Sequence, residues 1–289
     1  MYAHLFAAML SYRHAFHAGN HADVLKHYVL SLVLNYFNQK TTPYWVVDTH
    51  AGAGLYALNS EFSQKNAEFE TGIARLINAK NLPESLANFV DVIQAFNAKN
   101  SLNFYPGSPK IAESFLRADD KLRLFELHPN DCKLLINNFD GRGRQTKIEM
   151  QDGFTGIKAC LPPQPKRGVI LIDPPYEIKD DYQRVVDCIK DSLSRFATGT
   201  YLIWYPQLQR PEPQQMLTNL KKLNLNNWLQ INLTVQTPSA QGFGMHGSGM
   251  FIINPPWILP KSLEETMPVL TQLLALDQHA NFELTSQIT

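Results

Sequence analysis

Gly168-Val169-Ile170-Leu171-Ile172-Asp173-Pro174-Pro175-Tyr176 is the stretch on which the fold turns. Its first five residues form an unbroken apolar run, as expected of a strand covered on both faces of a parallel sheet. The run stops at Asp173, and two prolines keep it from continuing as a central strand. In an open parallel sheet, ligands bind just beyond the carboxyl ends of the strands. The stretch therefore predicts both an α/β architecture and the end of the sheet at which chemistry takes place.

Three upstream runs repeat the pattern. Tyr44–Val47 ends in Asp48, Leu122–Phe125 ends in Glu126, and Lys147–Met150 ends in Gln151-Asp152-Gly153. Downstream, Tyr201–Tyr205, Gln230–Val235 and Gly249–Ile253 bring the predicted strands to seven. The last two, joined through the Gly-rich Gln241–Gly249, read as an antiparallel pair closing the sheet. Val24, Leu25, Tyr28, Leu32 and Leu34 have helical spacing and predict a helix over His21–Phe37. Between Tyr56 and Tyr105 no strand is predicted, and Glu68–Ala79 and Pro83–Asn97 read as helices inserted into the sheet order.

Composition bounds the function. The 289 residues carry 26 Lys+Arg and 26 Asp+Glu, a formal net charge of zero. That excludes coating nucleic acid through bulk charge, but not a local basic patch. Cys132, Cys160 and Cys188 are odd in number and form no C-x-x-C pair, so neither a disulfide framework nor a zinc knuckle is expected. Nothing approaches the roughly 20 apolar residues of a membrane span. Met1–Leu10 has no basic residues ahead of its apolar run and no cleavage-like site, so a cytoplasmic protein is expected.

The strand ends carry the candidate chemistry. Asp48-x-His50-x-Gly52-x-Gly54 has the small residues of a nucleotide loop but lacks the Lys-Ser/Thr of a P-loop and the third dinucleotide glycine. It also reads as an ordinary tight turn. An acid at its start suits a cationic ligand, and S-adenosylmethionine carries both a sulfonium and an ammonium. Glu126 would bind ribose, although it lies much further from the glycines than the usual gap of about 20 residues. Asp152-Gly153 would contact adenine.

Asp173–Tyr176 is the sharpest signal. The lone pair of an exocyclic amine is delocalised into its ring, so methylating it requires acceptors for both N–H groups. Asp173 supplies a carboxylate and Pro174 a carbonyl, which localise the lone pair and stabilise developing positive charge. Tyr176 is expected to offer a stacking face to a flipped base. Asn254-Pro255-Pro256-Trp257 matches the same pattern, but it follows the strand whose direction is expected to be reversed, so its tip should point away. Four of the nine histidines lie between Ser11 and His27. A metal held by His17 and His21 is disfavoured by the intervening Gly19-Asn20. Arg13, Lys26 and these histidines, interleaved with Tyr12 and Phe16, suit RNA phosphates and bases, while Asn20 or Asp23 could equally cap a helix.

The segment Met9–His27 closely resembles the N-terminus of the RlmJ family, the 23S ribosomal RNA adenine-N6 methyltransferases. So do Asp48–Gly54, Tyr105–Pro109, Glu126–Pro129, Asp152–Phe154, Ile170–Glu177, Arg195–Gly199, Trp204–Pro206 and Ile253–Trp257. The resemblance implies a Rossmann-like class I methyltransferase with a mostly parallel seven-stranded sheet, a terminal antiparallel hairpin and a helical insertion. Residues 9–56 and 106–289 would form the main domain, 57–105 the inserted helical subdomain and 1–8 an extension. The resemblance implies S-adenosylmethionine as methyl donor and a single adenine of 23S ribosomal RNA as target, with no metal, no membrane and a monomeric enzyme. By position, His27, His50, Gly52, Gly54, Ser108, Glu126, Asp152 and Gly153 resemble cofactor contacts. Asp173, Pro174 and Tyr176 resemble the catalytic set, and Tyr12, His14 and Lys26 the substrate-engaging part. Arg13, Arg142, Arg144, Lys166 and Arg167 join Lys26 as candidates for RNA contact.

Two other classes stay open from the residues alone. Another amino-group methyltransferase, acting on guanine N2, DNA adenine or a protein glutamine, would use the same Asp-Pro-Pro-Tyr loop. An RNA-binding assembly factor could keep the fold without turnover, although intact Asp173 and Glu126 speak against it.

Overall fold

The computed structural model describes residues 14–99, 101–139 and 143–288. Its strands are β1 (Trp45–Asp48), β2 (Leu55–Ala57), β3 (Phe104–Pro106), β4 (Lys121–Phe125), β5 (Thr146–Glu149), β6 (Gly168–Ile172), β7 (Thr200–Gln207), β8 (Trp228–Thr234), β9 (Gly247–Ile253) and β10 (Asn281–Gln287). The first helices are α1 (His21–Asn38), α2 (Glu61–Asn66), α3 (Glu68–Thr71), α4 (Ile73–Ile77), α5 (Glu84–Gln94) and α6 (Ser108–Phe115). They are followed by α7 (Pro129–Asn138), α8 (Gly153–Gly156), α9 (Asp180–Arg195), α10 (Pro211–Lys221) and α11 (Leu259–Leu274).

The main sheet has the order β10-β8-β9-β7-β6-β1-β4-β5. Strands β5, β4, β1, β6 and β7 are parallel neighbours. β9 is antiparallel to both β7 and β8, and β10 is antiparallel to β8. The predicted α/β fold and its closing antiparallel pair are thus present, but the sheet has eight strands rather than seven. The eighth, β10, is a solvent-facing edge whose residues alternate between half-buried and exposed, so no apolar run marks it. A second difference is the short antiparallel ribbon of β2 and β3, which brackets α2–α5. At three residues each, these strands are too short to leave a pattern.

The sheet separates two apolar cores. Val46, Val169, Leu171, Leu202 and Ile252 belong to one, with residues of α1, α5, α6 and α11. Val47, Ile170, Ile172, Ile203 and Ile253 belong to the other, with residues of α8, α9 and α10. Successive residues of a strand point to opposite faces, and here both faces are covered, which explains why all five residues of β6 are buried.

The first helix is apolar nearly all round because it lies between the sheet and other helices, packing on β9 and α6. Gly19, at φ +78, turns the chain into it, and the Asn20 side chain accepts from the N–H groups of Ala22 and Asp23 at 3.0 Å each. That break separates His17 from His21. His17 Nδ1 instead lies 2.9 Å from the Glu68 carboxylate of α3. Among the described residues, no helix is long and apolar enough to cross a membrane. Cys132, Cys160 and Cys188 are buried free thiols.

Candidate active site

β1 and β6 are sequence-distant neighbours at the centre of the sheet, where the strand order reverses. A crevice outside the carboxyl ends of the strands is expected at such a switch point. A cavity of about 340 Å³ opens there, lined by Lys26, His50, Glu126, Asp152, Asp173 and Trp204 among others. That volume falls within the roughly 300–1,000 Å³ of small-molecule sites.

The β1 tip supplies Asp48, which is 1% exposed. Ser108 donates to Asp48 Oδ2 at 2.7 Å, and the His50 N–H donates to Oδ1 at 3.2 Å. Glu126 follows β4 and receives the N–H of Gly52 at 2.7 Å on one oxygen and that of His128 at 2.7 Å on the other. Gly52 has φ +60, and a Cβ there would collide with the Tyr56 hydroxyl, so the turn beside Glu126 requires glycine. Asp152 caps α8 by accepting from Thr155 and pairs with Arg184 of α9 at 2.7 Å. Gly153 lies against the Thr49 carbonyl so closely that no side chain fits between them.

Two of these acids, Glu126 and Asp48, are perturbed in the same direction. Burial in the cleft pushes Glu126 up to about 7 and Asp48 up to about 6, against the opposing pull of their hydrogen-bond donors. Burial lowers His50 to about 3, which keeps its imidazole neutral, with Nδ1 2.8 Å from the Thr49 hydroxyl. His27 is also held neutral by burial, and its Nδ1 lies 2.8 Å from the Tyr105 hydroxyl.

Beyond β6, Asp173 meets the first helix. Lys26 Nζ lies 2.5 Å from Asp173 Oδ2 and 2.9 Å from Asp23 Oδ1, and Asp23 Oδ2 lies 2.8 Å from His14 Nε2. Burial alone would lower the Lys26 amine, but the two carboxylates hold it above the ordinary lysine range. Burial alone would raise the Asp23 carboxyl, and the charges of His14 and Lys26 hold it well below the usual range. The result is a continuous chain of polar contacts running from His14 through Asp23 and Lys26 to Asp173.

The expected residues assort as follows. His14, Lys26, His27, His50, Gly52, Ser108, Glu126, Asp152, Gly153, Asp173, Pro174 and Tyr176 all line the one cleft. Gly54 does not. At φ +76 it turns the chain against α7, where a Cβ would lie 2.8 Å from Leu135 Cδ1, and its carbonyl accepts from Gly107 at 2.9 Å. It is a packing glycine, and the cofactor role expected of it is corrected.

The Tyr176 expectation is also corrected. Its backbone has φ +52, and its ring is 3% exposed between Tyr182 and Trp204, with the hydroxyl donating to the Trp204 carbonyl at 2.7 Å. A ring so enclosed cannot offer a broad stacking face. It instead ties the end of the Asp-Pro-Pro turn to Trp204 of β7. Tyr12, Arg13, Arg142 and the extension 1–8 lie outside the described residues.

Asn254 sits at the other end of the sheet, where its side-chain amide donates to the carbonyls of Ala197 and Gly199 at 2.8 Å each, beside the start of β7. The reversal of β9 thus carries its Pro-Pro turn away from the cleft, as expected. Asp23, Tyr105 and Arg184 were not expected at the site. Asp23 and Arg184 sit on helices among other charged residues, and nothing in their local sequence distinguishes them.

The two raised acids set a pH dependence for any cationic ligand. Such a ligand favours the ionised carboxylates, which burial permits only above about pH 6 to 7. Affinity for S-adenosylmethionine is therefore expected to weaken on acidification through that window, on the order of tenfold between pH 8 and pH 5.5. Calorimetric titration across this range measures it, and a flat profile would contradict the assignment of these acids to the ligand.

Comparison with known proteins gives a consistent picture. Residues 41–284 match a family model described as "RsmJ: Ribosomal RNA large subunit methyltransferase D, RlmJ". The chain is 47% identical over 260 residues to "Ribosomal RNA large subunit methyltransferase J" of Escherichia coli (strain K12), covering 90% of this chain and 92% of that protein. It is 46% identical over 267 residues to the protein of the same name from Haemophilus influenzae, covering 92% and 94%. The crystal structure of protein LPL1258 from Legionella pneumophila superposes with a TM-score of 0.86 at 33% identity, over 93% of this chain and 98% of that one.

Proposed function

Because the chain belongs to the RlmJ family of ribosomal RNA large subunit methyltransferases, we propose that it methylates N6 of a single adenine in 23S ribosomal RNA. It is an S-adenosylmethionine-dependent enzyme acting on ribosomal RNA. The observation that carries the finer reading is the position of Asp173-Pro174 at the tip of β6, in the same cleft as Glu126 and Asp152, which follow β4 and β5.

The donor set fits the cofactor. Glu126 presents acidic oxygens to a cationic ligand, and the buried Asp48 holds Ser108 and the His50 backbone at the wall of the cleft. Each Glu126 oxygen uses one lone pair on a backbone N–H and keeps acceptor capacity for ribose hydroxyls. Neutral His50 lines the cleft and allows close approach of an uncharged ring. The bound cofactor supplies an electrophilic methyl group.

The chain's own residues hold the nucleophile. Asp173 and the Pro174 carbonyl accept the two N–H bonds of the adenine amine, so the lone pair points at the methyl and the developing positive charge is stabilised. Asp173 is also the acceptor for the proton released. Lys26 must yield part of Asp173 to the incoming amine. It stays buried through its contact with Asp23, so its charge remains beside the carboxylate. Most of the rate enhancement then comes from orientation and fixed charges, without a covalent enzyme intermediate.

We read 57–105 as an inserted helical subdomain on the β2–β3 ribbon, 9–56 with 106–289 as the methyltransferase domain, and the enzyme as a cytoplasmic monomer. The test is transfer of radiolabelled methyl from S-adenosylmethionine to 23S RNA, naked and in ribosomal particles, followed by mapping of the modified nucleotide. Label at N6 of one adenine is expected. Label on guanine, or none on either RNA, would overturn the reading.

A further inference from the structure

We propose that Phe243 is an RNA-stacking residue, which packs its ring on a nucleobase flanking the target adenine; the proposal rests on the ribosomal RNA reading given above. Phe243 is 81% exposed, the most exposed of the large apolar side chains among the described residues. Burying a phenylalanine is ordinarily favourable by about 1.5–3 kcal/mol, so its place in solvent calls for a partner.

The loop carrying it is built to hold the ring out. Phe243 lies between Gly242 at φ +77 and Gly244 at φ +88, both in the left-handed region that favours glycine. A Cβ at Gly244 would meet nothing within 4 Å, and one at Gly242 would meet only Gln209 Oε1 at 3.5 Å. The tip therefore stands clear of the body of the protein.

Its stem is anchored. The N–H groups of Val235 and Gln236 both donate to the His246 carbonyl, at 2.9 and 3.3 Å, and the His246 N–H donates to the Gln207 carbonyl at 3.2 Å. Gln207 ends β7, beside Pro206 and Leu208, which line the cleft. Met245, two residues from Phe243, lines the cleft as well. Two residues of extended chain span at most about 7 Å, so the exposed ring stands at the mouth of the cleft that receives the adenine.

An amine inside a stacked helix cannot reach Asp173, so the target must leave its stack and expose the faces of its neighbours. Single-stranded and unstacked RNA is held by aromatic rings on which bases stack, with little demand on sequence. An uncharged ring at the mouth also suits a chain of zero net charge, which cannot hold RNA by bulk attraction.

The experiment compares Phe243→Ala, Phe243→Leu and Phe243→Trp in steady-state methylation of a 23S RNA fragment, with cofactor affinity measured on each by calorimetry. In Phe243→Ala the KM for RNA is expected to rise about tenfold, with kcat within about twofold and cofactor affinity unchanged. Phe243→Trp should restore KM and Phe243→Leu should not. An unchanged KM in Phe243→Ala, or full rescue by Leu, would overturn the stacking role while wild-type activity still supported the enzyme's function. A defect confined to ribosomal particles and absent on naked RNA would assign the ring to a ribosomal protein instead, and would equally overturn it. If the wild-type protein methylates no RNA, the parent reading fails on its own account.

Discussion

Asp173→Ala is expected to lower methyl transfer by roughly a hundred- to a thousandfold, the scale of losing one preorganised acceptor of transition-state charge. Cofactor affinity should change little, because the contacts assigned to the cofactor come from other elements. The fold should also survive. Lys26, which loses its 2.5 Å partner, still keeps Asp23 at 2.9 Å, so the substitution leaves no buried amine without a counter-charge. Single-turnover methylation together with calorimetric binding of S-adenosylmethionine separates these effects. Full activity in the variant would remove Asp173 from the chemistry, whereas loss of cofactor binding in parallel would make its role structural.

Lys26→Met has the opposite character, because its first effect is on stability. Lys26 is 4% exposed and Asp23 1% exposed, and the amine bridges Asp23 to Asp173. Removing one partner of a buried ion pair costs about 3–5 kcal/mol, since the remaining charge stays desolvated. For a chain of this size that corresponds to a fall in Tm of roughly 5–8 °C. The double variant Asp23→Asn with Lys26→Met should recover part of the loss, because it removes one of the stranded charges. Thermal unfolding of the three proteins checks this. An unchanged Tm in Lys26→Met would mean that the bridge contributes nothing net. Activity measured well below the unfolding range is expected to fall as well, because Asp173 loses the cation that holds it in place.

The acid-tipped strands were legible because each apolar run stops at a polar residue and the parallel sheet sets all those tips at one end. Asp48, Glu126, Asp152 and Asp173 could be placed together on that ground alone, and the reversed direction of β9 likewise separated Asn254 from them. The pairing of Lys26 with Asp173 was not legible, because it joins residues 147 positions apart, and neither local sequence reveals the other. On sequence grounds Lys26 reads as an RNA contact. Only the packing of α1 across β9 and toward the cleft shows that the Lys26 amine is committed to carboxylates. The Tyr176 ring was misplaced for a local reason. Its positive φ follows two prolines and turns the side chain into the core, a backbone choice that sequence seldom announces in a non-glycine residue. Strand β10 escaped because a polar edge has no apolar signature.

The position of β9 bears on how the chain is made. It is threaded between β7 and β8, and all seven of its residues are buried. As the polypeptide leaves the ribosome, the outer edge of β7 is complete when Gln207 emerges, yet its partner begins only at Gly247. At ~5–20 residues per second, that interval of about 40 residues lasts roughly 2–8 seconds. Throughout it, β7 presents an unpaired, largely buried-type edge to its surroundings, and β8 has no neighbour on which to form. Closure of the sheet, and with it the anchoring of the His246 stem to the cleft, therefore trails the completion of β7 by that interval.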